Sequence, residues 1–281
     1  MAVGIHPVGT IKVTIPSVNG DGRGCIIMSK NALVTGSGKG IGMGIALSLA
    51  ESGYDIGIHY CVNREGAEKI SRMIRDMGRK SVVLQADLQH VDQIRRMFDQ
   101  YFNSFECIDL LVNNAGITRM VPFLETTEET FDEILDTDLK GPFFCAQAAA
   151  RNMVEKETRG VIINISSNNS VGCWPMASVY GAAKAGMNKM GRNMALEMAK
   201  YGIRIVTVAP GYTNTNYEQQ EPNEYAVKRS ARIPLGRFCT PGEIGKAIVF
   251  LASEDAGYIT GTELFMDGGA LLPVLPENTF V

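Results

Sequence analysis

The stretch Ala32-Leu-Val-Thr-Gly-Ser-Gly-Lys-Gly-Ile-Gly42 runs from a short apolar piece straight into a glycine-rich turn. A brief hydrophobic run closed by glycines reads as a strand covered on both faces. Beyond it, 41–52 carries apolar residues at three- and four-residue steps and reads as a helix. Strand, glycine turn and helix start in that order make an anion site, because unpaired backbone amides point at one spot. Phosphate oxygens reach those amides only where no Cβ blocks the approach, which gives Gly36, Gly40 and Gly42 a purpose. The spacing is G-x-x-x-G-x-G, longer than the strict G-x-G-x-x-G, since position 41 is Ile. A glycine-rich loop without ligand is the plain alternative.

The alternation continues outward. Candidate strands fall at 32–35, 55–60, 81–86, 108–113, 160–165, 203–208 and 263–266, short and rich in Val and Ile. Helical patterns lie between them at 41–52, 64–77, 91–105, 127–155, 179–201 and 241–253. This order predicts the α/β class, a single doubly wound parallel sheet (Rossmann fold) flanked by helices on both faces. Ligands of such sheets bind beyond the carboxyl ends of the strands, at the switch point. Residues 1–28 hold Gly, Pro and Asn with one short alternating piece, and read as an appendage. They cover an edge, reach a neighbouring subunit, or serve neither purpose. Residues 29–281 read as one domain.

At 281 residues the chain can bury a full core. With 27 Lys and Arg against 30 Asp and Glu, and no basic run, neither nucleic acid nor an anionic membrane is an expected partner. Apolar stretches are broken before they could span a bilayer, and the first residues lack the basic start and apolar core of a secretory signal. The six cysteines, Cys25, Cys61, Cys107, Cys145, Cys173 and Cys239, form no C-x-x-C pair. They read as reduced thiols of a cytoplasmic protein, with neither a zinc site nor a disulfide frame, and no metal is expected.

Chemistry enters with Tyr180-Gly-Ala-Ala-Lys184, thirteen residues after Ser167. Four residues apart on a helix, phenol and ammonium share one face. A tyrosine titrates near ~10 in water, and a fixed ammonium beside it favours the phenolate. Together with a serine hydroxyl, the pair would move a proton to or from a substrate oxygen. A core-edge tyrosine beside a solvated lysine is the bland reading of the same spacing. The second strand ends in Tyr60-Cys61-Val62-Asn63, with no acid to hold ribose hydroxyls as NAD sites have. Lys39 inside the turn and Arg64 after the strand either meet a 2′-phosphate or are ordinary solvated cations. NADP(H) is favoured over NAD(H) as cofactor, because the missing carboxylate removes the repulsion against that phosphate.

Taken together these segments resemble the short-chain dehydrogenase/reductase family over 30–269. The turn 35–42 is similar to the family's T-G-x-x-x-G-x-G, Asn113-Asn-Ala-Gly116 to its N-N-A-G, and Asp87-Leu88 to the pair that meets the adenine. Pro210-Gly211 with Thr215 resembles the segment beside the nicotinamide carboxamide, and Gly261 with Asp267-Gly-Gly269 the common ending. The resemblance implies Tyr180 as general acid–base, Ser167 steadying the substrate oxygen, and Lys184 tuning Tyr180 and binding the nicotinamide ribose. It implies a cofactor set of Gly36, Ser37, Lys39, Gly40, Ile41, Gly42, Tyr60, Arg64, Asp87, Leu88, Asn114, Ala115, Gly116, Tyr180, Lys184, Pro210, Gly211, Thr213 and Thr215. Two departures stand out. Asp138, in Thr137-Asp-Leu-Lys-Gly141, occupies the slot of the family's catalytic Asn, and is expected to slow turnover or shift its pH dependence. Thr213 stands where an aliphatic residue is more usual.

Specificity is expected from 168–176, with Asn168, Asn169 and Trp174, and from 212–232, read as a lid. The asparagines bind a hydroxylated substrate or close their own loop; Trp174 stacks on substrate or fills a corner. The resemblance points to 3-oxoacyl-carrier-protein reductases, with sugar, polyol or steroid dehydrogenases as the alternative, and a non-catalytic nucleotide-binding regulator as the different class. Substrate would be a small carbonyl or alcohol, with an acyl-carrier protein as candidate partner met by Arg119, Lys228, Arg229 and Arg232. It also implies a homotetramer packed through the fourth and fifth long helices, where Ala182, Ala183, Ala185 and Gly186 permit close approach or merely pack the helix on its own sheet.

Overall fold

The computed structural model describes residues 30–215 and 228–272. The extension 1–28 and part of the expected lid, 216–227, lie outside the described residues. Among the described residues seven strands appear in chain order: β1 Asn31–Val34, β2 Asp55–Tyr60, β3 Ser81–Gln85, β4 Leu110–Asn113, β5 Val161–Ile165, β6 Arg204–Pro210 and β7 Glu263–Met266. They form one sheet in the order β3-β2-β1-β4-β5-β6-β7, and every pairing is parallel. The strands expected from the sequence are all present, shifted by at most two residues at their ends.

Alternate strand residues feed two cores. Val34, Val112, Ile163 and Val206 face α1 (Gly40–Glu51), α2 (Arg64–Asp76) and α7 (Pro241–Ala252). Leu33, Leu111, Ile162 and Ile205 face α3 (Val91–Phe105) and α5 (Gly141–Glu155). Each buried aliphatic side chain contributes roughly 1.5–3 kcal/mol, so the doubly covered sheet holds the fold. On the first face α1 and α7 lie almost backbone to backbone, for a Cβ on Gly44 would stand 2.5 Å from Pro241. Among the described residues no helix is long and apolar enough to cross a membrane.

One expected element differs. The segment 127–155 is not a continuous helix but α4 (Glu128–Leu135), a π-helical turn Asp136–Lys140, and then α5. Pro142 is the cause: it has no N–H to give the Asp138 carbonyl, and its ring clashes with that carbonyl in a regular α-helix. The chain widens instead, and Gly141 N–H donates to the Asp136 carbonyl five residues back. The long helix α6 (Ser178–Met198) follows the expected course, tightens into a 3₁₀ turn at Ala199–Tyr201, and stops at Gly202 with φ of 72°.

Candidate active site

The glycine turn lies at the switch point, where neighbouring β1 and β4 send their chains to opposite faces of the sheet. Gly36 and Gly40 take φ of 64° and 57°, and a Cβ on Gly36 would come within 2.8 Å of the Ala115 backbone. No side chain caps α1, whose N-cap is Lys39, so its first amides are left for an anion. That arrangement fits the pyrophosphate of a dinucleotide. Thr215 closes the other side, its methyl 3.4 Å from where a Gly40 Cβ would lie.

The turn is fastened from behind. Thr35 Oγ1 accepts from the amides of Asn114 and Ala115 at 2.9 Å each. Asn114 Nδ2 donates to the carbonyls of Thr35 and Gly36. Ser37 is fully buried and its Oγ donates to Val34 O at 2.8 Å. The side chains of Ser37 and Asn114 therefore shape the cradle, which leaves Gly36, Gly40, Ile41 and Gly42 to border it with backbone. Asn113 reaches the other way, donating to Pro142 O and Asn164 Oδ1.

His59, which the sequence reading passed over, is the third fastening. Its Nδ1 accepts the Gly36 N–H at 3.0 Å, so the ring proton sits on Nε2, 3.0 Å from Ala86 O. Burial drives the imidazole down to about 4, against the smaller upward pulls of the Ala86 carbonyl and Asp87. The sign follows directly. Above pH ~6.5 the ring is neutral in folded and unfolded chains alike; below it only the unfolded chain takes a proton, until the native ring titrates near 4. Stability is expected to fall by roughly 3 kcal/mol as pH drops across that window. Urea unfolding at pH 7.5 and 4.5 checks it, and His59→Gln should flatten the difference; an unchanged slope would remove His59 as its source.

Where the resemblance puts the adenosine, Tyr60 closes β2 and Asp87 follows β3, with Asp87 Oδ1 accepting from Gln89 N. Leu88 is buried. The two candidate cations separate here. Arg64 points to solvent and lies 3.8 Å from Glu68, whereas Lys39 is exposed on the turn with no ion pair among the described residues.

Four elements supply the expected catalytic side chains. α6 presents Tyr180 and Lys184, both buried. The π turn brings Asp138, fully buried, so that Oδ2 lies 3.2 Å from Lys184 Nζ while Oδ1 accepts Ile117 N–H at 2.8 Å. The ammonium–Oδ2 contact is an ion pair lying off hydrogen-bond geometry, because Oδ2 has no hydrogen-bond partner among the described residues. Lys184 Nζ also donates to Ile165 O at 3.3 Å and lies 5.7 Å from the centre of the Tyr180 ring. Gly116 completes the pocket wall; a Cβ there would stand 3.1–3.2 Å from Asp138 and Lys184. Burial opposes the ammonium, but the charges of Asp138 and Tyr180 and the Asp138 contact outweigh it and raise Lys184 above its ordinary value. Ser167 follows β5 and caps a 3₁₀ turn, Asn168–Ser170, its Oγ accepting Asn169 N–H at 3.1 Å. The Tyr180 hydroxyl makes no hydrogen bond among the described residues.

Pro210 ends β6, and Gly211 packs so closely on Asp267 that a Cβ would approach it to 2.7 Å. Asp267 in turn accepts from Gly269 and Leu271 amides. Thr213 spends its hydroxyl on Gly211 O at 3.2 Å, which accounts for a polar residue there. Trp174 lies against Gly172 and Leu271 and donates from Nε1 to the Tyr212 hydroxyl at 3.3 Å. Tyr212 stacks on Phe238 and takes a further hydrogen bond from Arg229. Trp174 thus joins the segment 168–176 to the one that begins at Tyr212. Asn168 and Asn169 are both buried, and Asn168 Nδ2 has no hydrogen-bond partner among the described residues.

Residues 36–270 match the family model described as Enoyl-(Acyl carrier protein) reductase. The chain belongs to the short-chain dehydrogenase/reductase family. Within that family it is 38% identical over 242 residues to a 3-oxoacyl-[acyl-carrier-protein] reductase of Staphylococcus aureus, covering 86% of this chain and 98% of the relative. It is 35% identical over 248 residues to 3beta-hydroxysteroid dehydrogenase 1 of Eggerthella lenta, covering 88% and 95%. The crystal structure of acetoin dehydrogenase from Enterobacter cloacae superposes with a TM-score of 0.83 at 35% identity, covering 89% and 98%. As a short-chain dehydrogenase/reductase, the protein is an oxidoreductase of CH–OH and C=O groups, and the family implies a nicotinamide cofactor.

Proposed function

We propose that this protein is an NADP(H)-preferring ketoreductase of the 3-oxoacyl-carrier-protein reductase type. The observation that carries the reading is Lys184, buried, charged and ion-paired, beside a Tyr180 whose hydroxyl has no partner among the described residues. Tyr180 gives a proton to the substrate oxygen in reduction and takes it back in oxidation. Ser167 holds that oxygen, and Lys184 keeps positive charge below the phenol. The nicotinamide, when bound, supplies the hydride. The preference for the phosphorylated cofactor rests on the exposed Lys39 and on Tyr60-Cys61 where an acid would repel a 2′-phosphate.

A second reading has its own observation. Arg119, proposed to greet an acidic carrier protein, is ion-paired to Glu133 at 2.6 Å, and Arg229 is engaged on Tyr212. This favours a free small hydroxyketone or secondary alcohol over a carrier-borne chain. A panel of acetoacetyl thioester, acetoin and a 3-oxosteroid, run with NADPH and NADH in parallel, decides between them. Thioester reduction with NADPH is the expected result. A tenfold preference for NADH, only ~1.4 kcal/mol, overturns the cofactor reading; no turnover of any substrate leaves the non-catalytic regulator.

We also propose a homotetramer. Leu135, Leu139, Phe143, Gly186 and Met190 line an apolar groove between the π turn, α5 and α6, and a second copy of that helix pair would bury it. Ala183 faces inward instead and packs the helix on its own chain. A monomer by sedimentation at micromolar concentration would exclude this assembly.

A further inference from the structure

Tyr180, Lys184, Asn188 and Arg192 follow one another at four-residue steps along α6 and form one stripe. The first two belong to the site above. Asn188 is also buried, at 5% exposure, and its Nδ2 donates in two directions, to Ser170 Oγ at 2.9 Å and to Glu263 Oε2 at 2.8 Å. Glu263, on β7, has a side chain only 8% exposed, and its other oxygen lies 2.7 Å from Arg192. Nothing in the proton-transfer geometry uses this group.

Its mechanical position is specific. Ser170 is the last residue of the 3₁₀ turn that Ser167 caps, and its amide donates to Ser167 O at 2.9 Å. Just before Ser167, Ser166 Oγ donates to the Lys184 carbonyl at 3.2 Å. The short loop carrying Ser167 is therefore pinned to α6 on both sides, at Lys184 and one helical turn later at Asn188. Glu263 decides which way the Asn188 amide faces. Turned over, its Oδ1 would meet the Glu263 carboxylate, two acceptors in a buried space, at a cost neither could recover. As placed, both amide hydrogens are used, and among the described residues Oδ1 alone lacks a partner.

We propose that Asn188, oriented by Glu263, is a positioning residue for the reaction, setting the place of Ser167 against α6. The inference rests on Ser167 as holder of the substrate oxygen. Small displacements of such a group are costly, up to ~10²-fold for 1 Å.

The test is a double-mutant cycle. Asn188→Ala and Ser170→Ala are each expected to lower kcat about tenfold with KM for the cofactor unchanged. In a Ser167→Ala background either change should alter the residual kcat by less than about twofold, because the group being positioned is gone. Glu263→Ala should resemble Asn188→Ala, while Glu263→Gln, which keeps an acceptor, should hold kcat within about threefold of wild type. Equal losses in both backgrounds would mean that the network acts through the fold, and would overturn the proposal. So would wild-type kcat in both Asn188→Ala and Ser170→Ala while Ser167→Ala is impaired. Should Asn188→Ala fail to fold, Ser170→Ala, which leaves the helix untouched, carries the cycle alone. Full activity in Ser167→Ala would instead remove the catalytic reading beneath it.

Discussion

Tyr180→Phe is expected to lower kcat by about 10²- to 10⁴-fold, the usual worth of a general acid–base. The substitution is unusually clean. The Tyr180 ring packs with Ile134 and Ala183, and those contacts survive in phenylalanine. Its hydroxyl satisfies no other group among the described residues, so removing it orphans no buried donor or acceptor. Stability should change by no more than about 1 kcal/mol, because the buried ring is kept and no partner is orphaned, and cofactor affinity should hold, since Lys184, Lys39 and the glycine turn are untouched. Steady-state kinetics beside a thermal melt measures both quantities. Retention of more than a tenth of wild-type kcat by a folded Tyr180→Phe would rule out the acid–base role.

Lys184→Met is the second large effect, and it strikes stability as well as turnover. Asp138 is fully buried and, among the described residues, keeps only the Ile117 amide once the ammonium is gone. Breaking one side of a buried pair costs roughly 3–5 kcal/mol, mostly because the surviving charge is stranded. Asp138→Asn strands the ammonium instead, though Oδ1 can still accept from Ile117. The double substitution Lys184→Met/Asp138→Asn removes both charges and should recover most of the stability and none of the activity. Urea midpoints of the four proteins provide the check; additive losses would mean that the two groups do not depend on one another. The pH dependence has a definite sign. Lys184 is raised in the folded chain, so its contribution is complete below its ordinary 10.5 and fades only as pH rises through the higher native value. It is present across the neutral range. For catalysis, Asp138→Asn withdraws negative charge from beside the phenol and should move the acid limb of the pH–rate profile to lower pH. Superimposable profiles would make Asp138 electrostatically silent.

Much of this architecture is legible in the sequence because parallel strands announce themselves. Leu33, Leu111 and Ile162 face one core and their neighbours the other, so each strand must be apolar throughout. The glycine turn and the Tyr180–Lys184 spacing are local patterns and equally plain. What escaped depends on contacts distant along the chain. His59 sits in an apolar strand, and nothing nearby in the sequence says that its ring meets Gly36, 23 residues before it. Asn188 looks like one more polar residue on a mixed helix until β7 brings Glu263 against it. The break at 136–140 was hidden for another reason. Apolar periodicity runs through it undisturbed, and only Pro142 marks the place.

That wide turn changes what one stretch of helix can face. Ile134 and Cys145 are eleven residues apart, close to three turns of a regular α-helix, and in a straight rod they would point the same way. In this chain they serve different cores: Ile134 packs with Tyr180 and Ala183, while Cys145 joins the core under the sheet. One additional residue in the turn shifts the rotational phase of everything before it relative to everything after, by about 100°. The same offset that frees Ile134 from the sheet carries the Asp138 side chain round to Lys184. The polar contact at the heart of the site is thus a matter of angular registry, written by a proline four positions downstream of the aspartate it aims.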